Sequence, residues 1–215
     1  MRTAYRCRAY PTPEQADVLN RTFGCIRVVW NRTLATRHNR YHTEGKGTSY
    51  AETDRALTAM KADPELHWLA EASSVPLQQV LRHQHAAFTA FFQKRARYPR
   101  FKSRQGKQSA SYTRSGFRMK GADLWLAKTD APLRYVWSWP DVDPAVLNPT
   151  MVTVSREPDG LWYAAVAVDT EAPTAPPLTG NVVGVDLGLK DFAVLSTGER
   201  IVHPRHMEQR ERRLK

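Results

Sequence analysis

Val182-Val183-Gly184-Val185-Asp186-Leu187-Gly188-Leu189-Lys190-Asp191-Phe192-Ala193-Val194-Leu195-Ser196-Thr197-Gly198-Glu199 is the stretch on which the reading of this chain turns. Its first half is a run of apolar β-formers that carries one carboxylate, Asp186, to a strand end beside Gly188. A second apolar run, Phe192 to Leu195, follows a tight reversal, so the stretch reads as two strands and two turns. Buried strands rarely hold an acid, because an unpaired buried carboxylate costs on the order of several kcal/mol unless a cation or hydrogen bonds compensate. A metal ion is the natural partner for such a carboxylate.

Two fold families place an Asp-x-Gly here: the RNase H-like nucleases, where the acid binds a divalent metal, and the actin-like ATPases, where the turn approaches a phosphate. The motif does not separate them, and an Asp that merely ends a strand by accepting turn N–H bonds is a third reading. Beyond the hairpin, Arg200 to His203 reads as a third strand and Pro204 to Lys215 as the first turns of a basic helix. Hairpin, third strand, helix is the order in which the RNase H fold begins. Upstream, Glu171-Ala172-Pro173-Thr174-Ala175-Pro176-Pro177 marks an extended linker over residues 171–180, so a separate domain is expected over 181–215.

Thr3 to Tyr10 alternates, with Tyr5, Cys7 and Ala9 on one face and Arg6, Arg8 and Tyr10 on the other, and Pro11 ends it. Thr12-Pro13-Glu14-Gln15 is a capping box, and Leu19, Phe23, Ile26, Trp30 and Leu34 recur at helical spacing toward Thr43 and Gly45. Gly24 inside that helix implies either close packing on another helix or a tolerated weak point. Ser49-Tyr50-Ala51-Glu52 opens a second helix with Ala56, Leu57 and Met60 on its stripe. Ser73-Ser74 before Pro76 opens a third, with the stripe Leu77, Val80, Leu81, Phe88, Phe91 and Phe92. From Ser109 to Val168 the signals are β: Phe117–Lys120 and Leu124–Lys128 flank a turn, Leu133–Trp139 is another run, and Val152–Ser155 pairs with Trp162–Val168. These short strands point to a small barrel or curled sheet that the first strand joins, leaving the helices as an insertion.

The chain has 215 residues and a net charge of +11. The surplus is local: residues 72–122 hold eleven Lys or Arg and no Asp or Glu. Such a concentration indicates a polyanion-binding surface. Within it, Lys94-Arg95-Ala96-Arg97-Tyr98-Pro99-Arg100-Phe101-Lys102-Ser103-Arg104-Gln105-Gly106-Lys107 interleaves aromatic rings with cations. Arg forks onto phosphates, and Tyr98 and Phe101 offer stacking faces, so Arg95, Arg97, Tyr98, Arg100, Phe101, Lys102, Arg104, Lys107 and Arg114 are candidate nucleic-acid contacts. Gln78, Gln79 and Arg82 lie off the third helix's stripe and read as solvated surface or, less economically, as base-edge contacts. His38 with His42 and His83 with His85 lack a Cys or acidic partner at ligand spacing, so they read as surface or polyanion-facing groups. Cys7 and Cys25 form no framework and read as small apolar fillers in a reducing compartment. No apolar run approaches a membrane span or a signal peptide, so the cytoplasm is the expected compartment and no membrane partner is expected.

Taken together, Tyr10-Pro11-Thr12-Pro13-Glu14-Gln15, Gly24-Cys25-Ile26-Arg27-Val28-Val29-Trp30-Asn31, Phe91-Phe92 through Tyr98-Pro99-Arg100-Phe101-Lys102-Ser103, and Gly184-Val185-Asp186-Leu187-Gly188-Leu189-Lys190 resemble the TnpB (OrfB) proteins of insertion sequences. These are RNA-guided endonucleases related to type V CRISPR effectors, and four motifs in the family's order weigh against the actin-like reading. The resemblance implies an α+β multidomain chain: a wedge-like β-barrel begun by residues 1–11 and continued by 109–170, a helical recognition domain with its basic loop over 12–108, the linker at 171–180, and the N-terminal part of a RuvC-type nuclease domain over 181–215. It implies guide RNA and single- and double-stranded DNA as partners. It also implies Asp186 as the first catalytic, metal-binding acid of a Mg2+ site, and Gln79, Tyr112 and Thr113 near the readout of the flanking duplex. The family's second and third acids and the Cys-x-x-Cys pairs of its zinc ribbon have no counterpart here, and Glu199, Glu208 and Asp191 are weak substitutes. The chain is therefore expected to be an N-terminal portion that binds but does not cut alone, with no zinc. A short RNA- or DNA-binding regulator is the alternative.

Overall fold

Side-chain caps decide where the helices start, and backbone caps where they stop. The computed structural model describes residues 1–170, 183–188 and 190–204, which divide into a unit of Met1–Glu171 and a unit of Ala172–Lys215. In the first unit, β1 (Arg2–Tyr10) leads into α1 (Pro13–Glu44). The Thr12 hydroxyl accepts the Gln15 N–H at 3.3 Å while the Gln15 side chain accepts the Thr12 N–H at 3.1 Å, as the capping box requires. At the other end Gly45 takes a left-handed φ of 66° and donates its N–H to Tyr41 O. α2 (Tyr50–Ala62) has the expected Ser49–Glu52 box, and Arg40 reaches Glu52 at 2.6 Å to hold it against α1. α3 (Ser74–Phe92) is capped by Ser73.

The helical core is the expected stripe: Leu19, Phe23, Ile26, Trp30 and Leu34 of α1 meet Leu57 of α2 and Leu77, Val80, Leu81 and Phe88 of α3. Two departures occur on α3. Phe92 is 71% exposed, so the apolar stripe outruns the core. Gln79 and Gln84, polar by sequence, are buried because α3 packs on α1, α2 and β2, and both lie on the side of α3 that these elements cover. Gln84 donates to Trp30 O at 2.9 Å, joining the two helices. Gly24 has open space where a Cβ would stand, so close packing is not its reason.

The sheet is antiparallel, formed by β2 (Gln108–Thr113), β5 (Arg134–Val136), β6 (Met151–Arg156) and β7 (Trp162–Asp169) together with β1, in the order β2-β6-β7-β1-β5. β3 (Phe117–Lys120) and β4 (Asp123–Leu126) form a separate hairpin around the expected turn. β1 joins by pairing with β7 from Arg2–Asp169 to Ala9–Trp162, so the helices are an insertion between β1 and β2. One face is lined by Cys7, Ala9, Ala110, Tyr112, Val152, Val154, Ala164 and Val166, and α1 covers part of it by stacking Phe23 on Trp162 at 5.7 Å. The expected barrel is not closed, because the end strands β2 and β5 do not pair. β5 lasts three residues, after which Trp137 and Trp139 turn aside to pack on Tyr5 at 5.2 and 5.3 Å.

In the second unit β8 (Val185–Leu187), β9 (Asp191–Leu195) and β10 (Arg200–Val202) form an antiparallel sheet in the order β10-β9-β8, matching the hairpin and third strand. Its strands are not buried as the apolar run implied: Val185, Leu187, Phe192, Ile201 and Val202 are all exposed, and Ala193 is buried. The linker at 171–180, the basic helix after Pro204 and Glu208 lie outside the described residues.

Candidate nucleic-acid interface

The basic segment between α3 and β2 is irregular, yet its backbone is fastened at several points. Trp30 Nε1 donates to Arg100 O at 2.9 Å, and Asn31 clasps Lys102 from both sides, donating to its carbonyl at 3.0 Å and accepting its N–H at 2.8 Å. Gln108 donates to the carbonyls of Ser103 and Gly106 at 2.9 and 2.6 Å, and Pro99 is buried. The Gly24-to-Asn31 and Tyr98-to-Ser103 motifs are therefore one structure: side chains of the helix motif, two donors and one acceptor, bind the backbone of the loop motif.

The candidate side chains divide by what already holds them. Arg97, Arg100 and Arg104 are exposed and pair with no carboxylate among the described residues. Phe101 is also exposed. Lys102 lies over the Trp30 ring at 4.9 Å, and burial lowers its pKa below the usual lysine range. Lys107 shares Glu157 with Arg6, at 2.7 and 2.6 Å, so part of its charge is already neutralised. Arg114 is held by Asn148 and Pro149 O, and Arg95 by Gln93. Tyr98 packs edge-on against Phe88 and Phe91, and burial raises its phenol pKa.

Of the three residues expected near a flanking duplex, Gln79 and Tyr112 are 6% and 1% exposed and face the core. Their expected readout role conflicts with this placement: Tyr112 fills the sheet–helix junction, and burial raises its phenol pKa steeply. Thr113, half-buried, sits at the end of β2. Cys7 and Cys25 are buried free thiols, with Cys7 pushed up to about 11 by burial.

Asp186 sits in β8 opposite Val194, exposed to solvent, so the burial argument for a compensating cation does not apply to it. Gly188 has a specific reason: an added Cβ would stand 3.2 Å from Asp191 O across the hairpin. Asp191 is engaged by Arg200 at 3.3 Å, and Glu199 lies in the β9–β10 turn. Among the described residues no group of three His, Cys, Asp or Glu side chains converges on a metal position. These residues alone do not fit a metal pair. No helix among the described residues is long and apolar enough to cross a membrane.

Known proteins are similar to this chain along nearly its whole length. Residues 1–46 match a family described as a helix-turn-helix domain of OrfB proteins, although here β1 and the uninterrupted α1 occupy that stretch. A Streptomyces pristinaespiralis protein named "Putative RNA-guided DNA endonuclease" is 46% identical over 99% of this chain and 52% of its own length. InsQ of Escherichia coli K12, carrying the same description, is 32% identical over 91% of this chain and 47% of its own. The virulence protein VsdF of Salmonella dublin is 33% identical over 46% of this chain and 90% of its own. The chain thus spans about half the length of the first two relatives. With four sequence motifs in order and similarity along nearly its whole length, the chain belongs to the TnpB (OrfB) family.

Proposed function

We propose that the chain grips nucleic acid through the basic segment 94–107 and the helices that fasten it, as the RNA- and DNA-binding portion of an RNA-guided DNA endonuclease. One observation carries this reading: an acid-free loop is pinned to Trp30 and Asn31 by its backbone while Arg97, Arg100 and Arg104 stay exposed and pair with no described carboxylate. Ordering the backbone beforehand removes part of the entropy that binding would otherwise cost. In this reading the five-stranded sheet is the wedge-like domain, α1 to α3 are the recognition helices, and β8 to β10 are the first strands of a RuvC-type domain. Guide RNA and target DNA are the partners that the relatives' names support.

Asp186 is the first acid of a Mg2+ site only if further carboxylates join it, since among the described residues no group of three potential ligands converges on a metal position. For the same reason a binding role without cleavage is the second reading for the chain by itself. The test is purification of the chain with and without nuclease treatment, followed by titration with single-stranded RNA and duplex DNA across salt concentrations. RNA should co-purify, and log affinity should fall linearly with log salt. A nucleic-acid-free preparation with salt-insensitive binding would overturn the proposal. Addition of Mg2+ to the chain with DNA should give no cleavage, and cutting by the chain alone would reject the binding-only reading.

A further inference from the structure

Between the last turns of α1, the Gly47-Thr48 segment, the end of α3 and Tyr98 of the basic loop lies a cleft of about 450 Å³. Aromatic rings dominate its walls. Tyr98 meets Phe88 and Phe91 edge-on at 5.5 and 5.3 Å, and Phe92 lies 6.3 Å from Phe88 with the planes 30° apart. The same wall holds two polar groups that no described residue satisfies. Arg37 is 7% exposed, with its guanidinium 4.9 Å over the Phe88 ring, and among the described residues its Nε and Nη2 find no acceptor and the buried Thr48 hydroxyl finds no partner. Glu52, which could have answered Arg37, is taken by Arg40 and Ser49.

Buried donors are nearly always paired, so two orphans in one aromatic wall define what the cleft lacks. An aliphatic chain would cover the rings and leave Arg37 and Thr48 unmet, whereas a bare anion would answer Arg37 and leave the rings bare. A flat ring with carbonyl or ring-nitrogen acceptors along one edge satisfies both, and the volume lies within the range of small-ligand pockets. Tyr98 belongs at once to the cleft and to the cationic loop, where the exposed Lys94 and Arg97 lie close by in sequence.

We propose that this cleft receives one unpaired nucleobase of the bound strand, stacked against Phe92 and Tyr98 with its acceptor edge toward Arg37 and Thr48. The proposal rests on the nucleic-acid reading above and deepens it, placing a base-specific contact beside the phosphate-binding loop.

The test uses the full chain and fluorescent single strands of one length: an RNA, a DNA, and a sugar–phosphate strand with every base removed. The base-bearing strands should bind about five- to a hundredfold tighter than the abasic one, since base–aromatic stacking contributes at that level. The RNA and DNA arms show which strand the cleft prefers. Phe92→Ala, at a 71% exposed position, should keep the circular dichroism spectrum, the abasic affinity and the salt slope while losing most of that preference. Arg37→Lys should lose part of it. If the wild type binds all three strands equally and with normal salt dependence, the cleft proposal fails while the nucleic-acid reading stands. Full preference retained in folded Phe92→Ala and Tyr98→Ala proteins overturns it equally. Failure to bind any strand removes both.

Discussion

Gly24, in the interior of α1, has nothing within 4 Å of the position a Cβ would occupy. A helix-interior glycine carries a backbone-entropy cost, so Gly24→Ala should raise unfolding free energy by about 0.5–1 kcal/mol, read from the denaturant midpoint. Glu52 gives a pH signature. Its hydrogen bond from Arg40, then those from the Ser49 N–H and hydroxyl, lower its pKa to about 2 from an ordinary 4.5. A depressed carboxyl contributes stability that is fully present above its unfolded pKa and lost as pH falls through the folded one. The Glu52 contribution should therefore fade between about pH 4.5 and 2, and Glu52→Gln should flatten that part of the stability profile. Residues such as Thr12, Ser49 and Gly45 were legible because capping chemistry acts within a few positions of the chain. Tyr112 and Gln79 were not, since their burial is set by a sheet and helices distant in sequence.

Among elements, the basic segment behaves as a loop held by its neighbours and not by its own hydrogen-bond ladder. Asn31→Ala removes both hydrogen bonds to Lys102, so residues 100–103 should show faster amide exchange while the helices keep theirs. Reversing Arg97, Arg100 and Arg104 to Glu should lower affinity more than tenfold and reduce the log–log salt slope by about two to three, at roughly 0.7–0.9 per phosphate contact. An unchanged slope would place the phosphate contacts elsewhere. The loop's charge was readable from its composition, but its fastening was not, because Trp30 and Asn31 lie about 70 residues upstream. β2 fell within the region of β signals but stood out as no strand of its own, for a related reason. Gln108–Thr113 is a run of Gln, Ser, Ala, Tyr and Thr with no Val or Ile, and it becomes a strand because β6 pairs with it and the helices cover it. The aromatic cleft draws on four separate stretches, so no local pattern announces it.

At the scale of the molecule, the first unit contains its own core and both partners of every strand pair in its sheet. Residues 1–170 expressed alone should therefore melt cooperatively within a few degrees of the same transition in the full chain, as followed by circular dichroism. A loss of that transition would show that the unit needs residues beyond it. The order of strands and helices was visible in the sequence, whereas the open sheet was not, because closure depends on where the Trp137–Trp139 turn takes the chain after β5. The first unit also brings its two ends together: the Met1 amino group donates to Thr170 O at 2.7 Å, and β1 pairs along β7. During synthesis this pairing imposes a wait. About 160 residues separate β1 from β7, its long partner, which at about 5–20 residues per second is roughly 10–30 s. The three helices emerge in that interval, and before β7 arrives β1 has only the three-residue pairing with β5 to draw on. A circular permutant joining residue 170 to residue 1 and opened between α3 and β2 would make β1 and β7 neighbours in translation, and it should refold faster at unchanged stability.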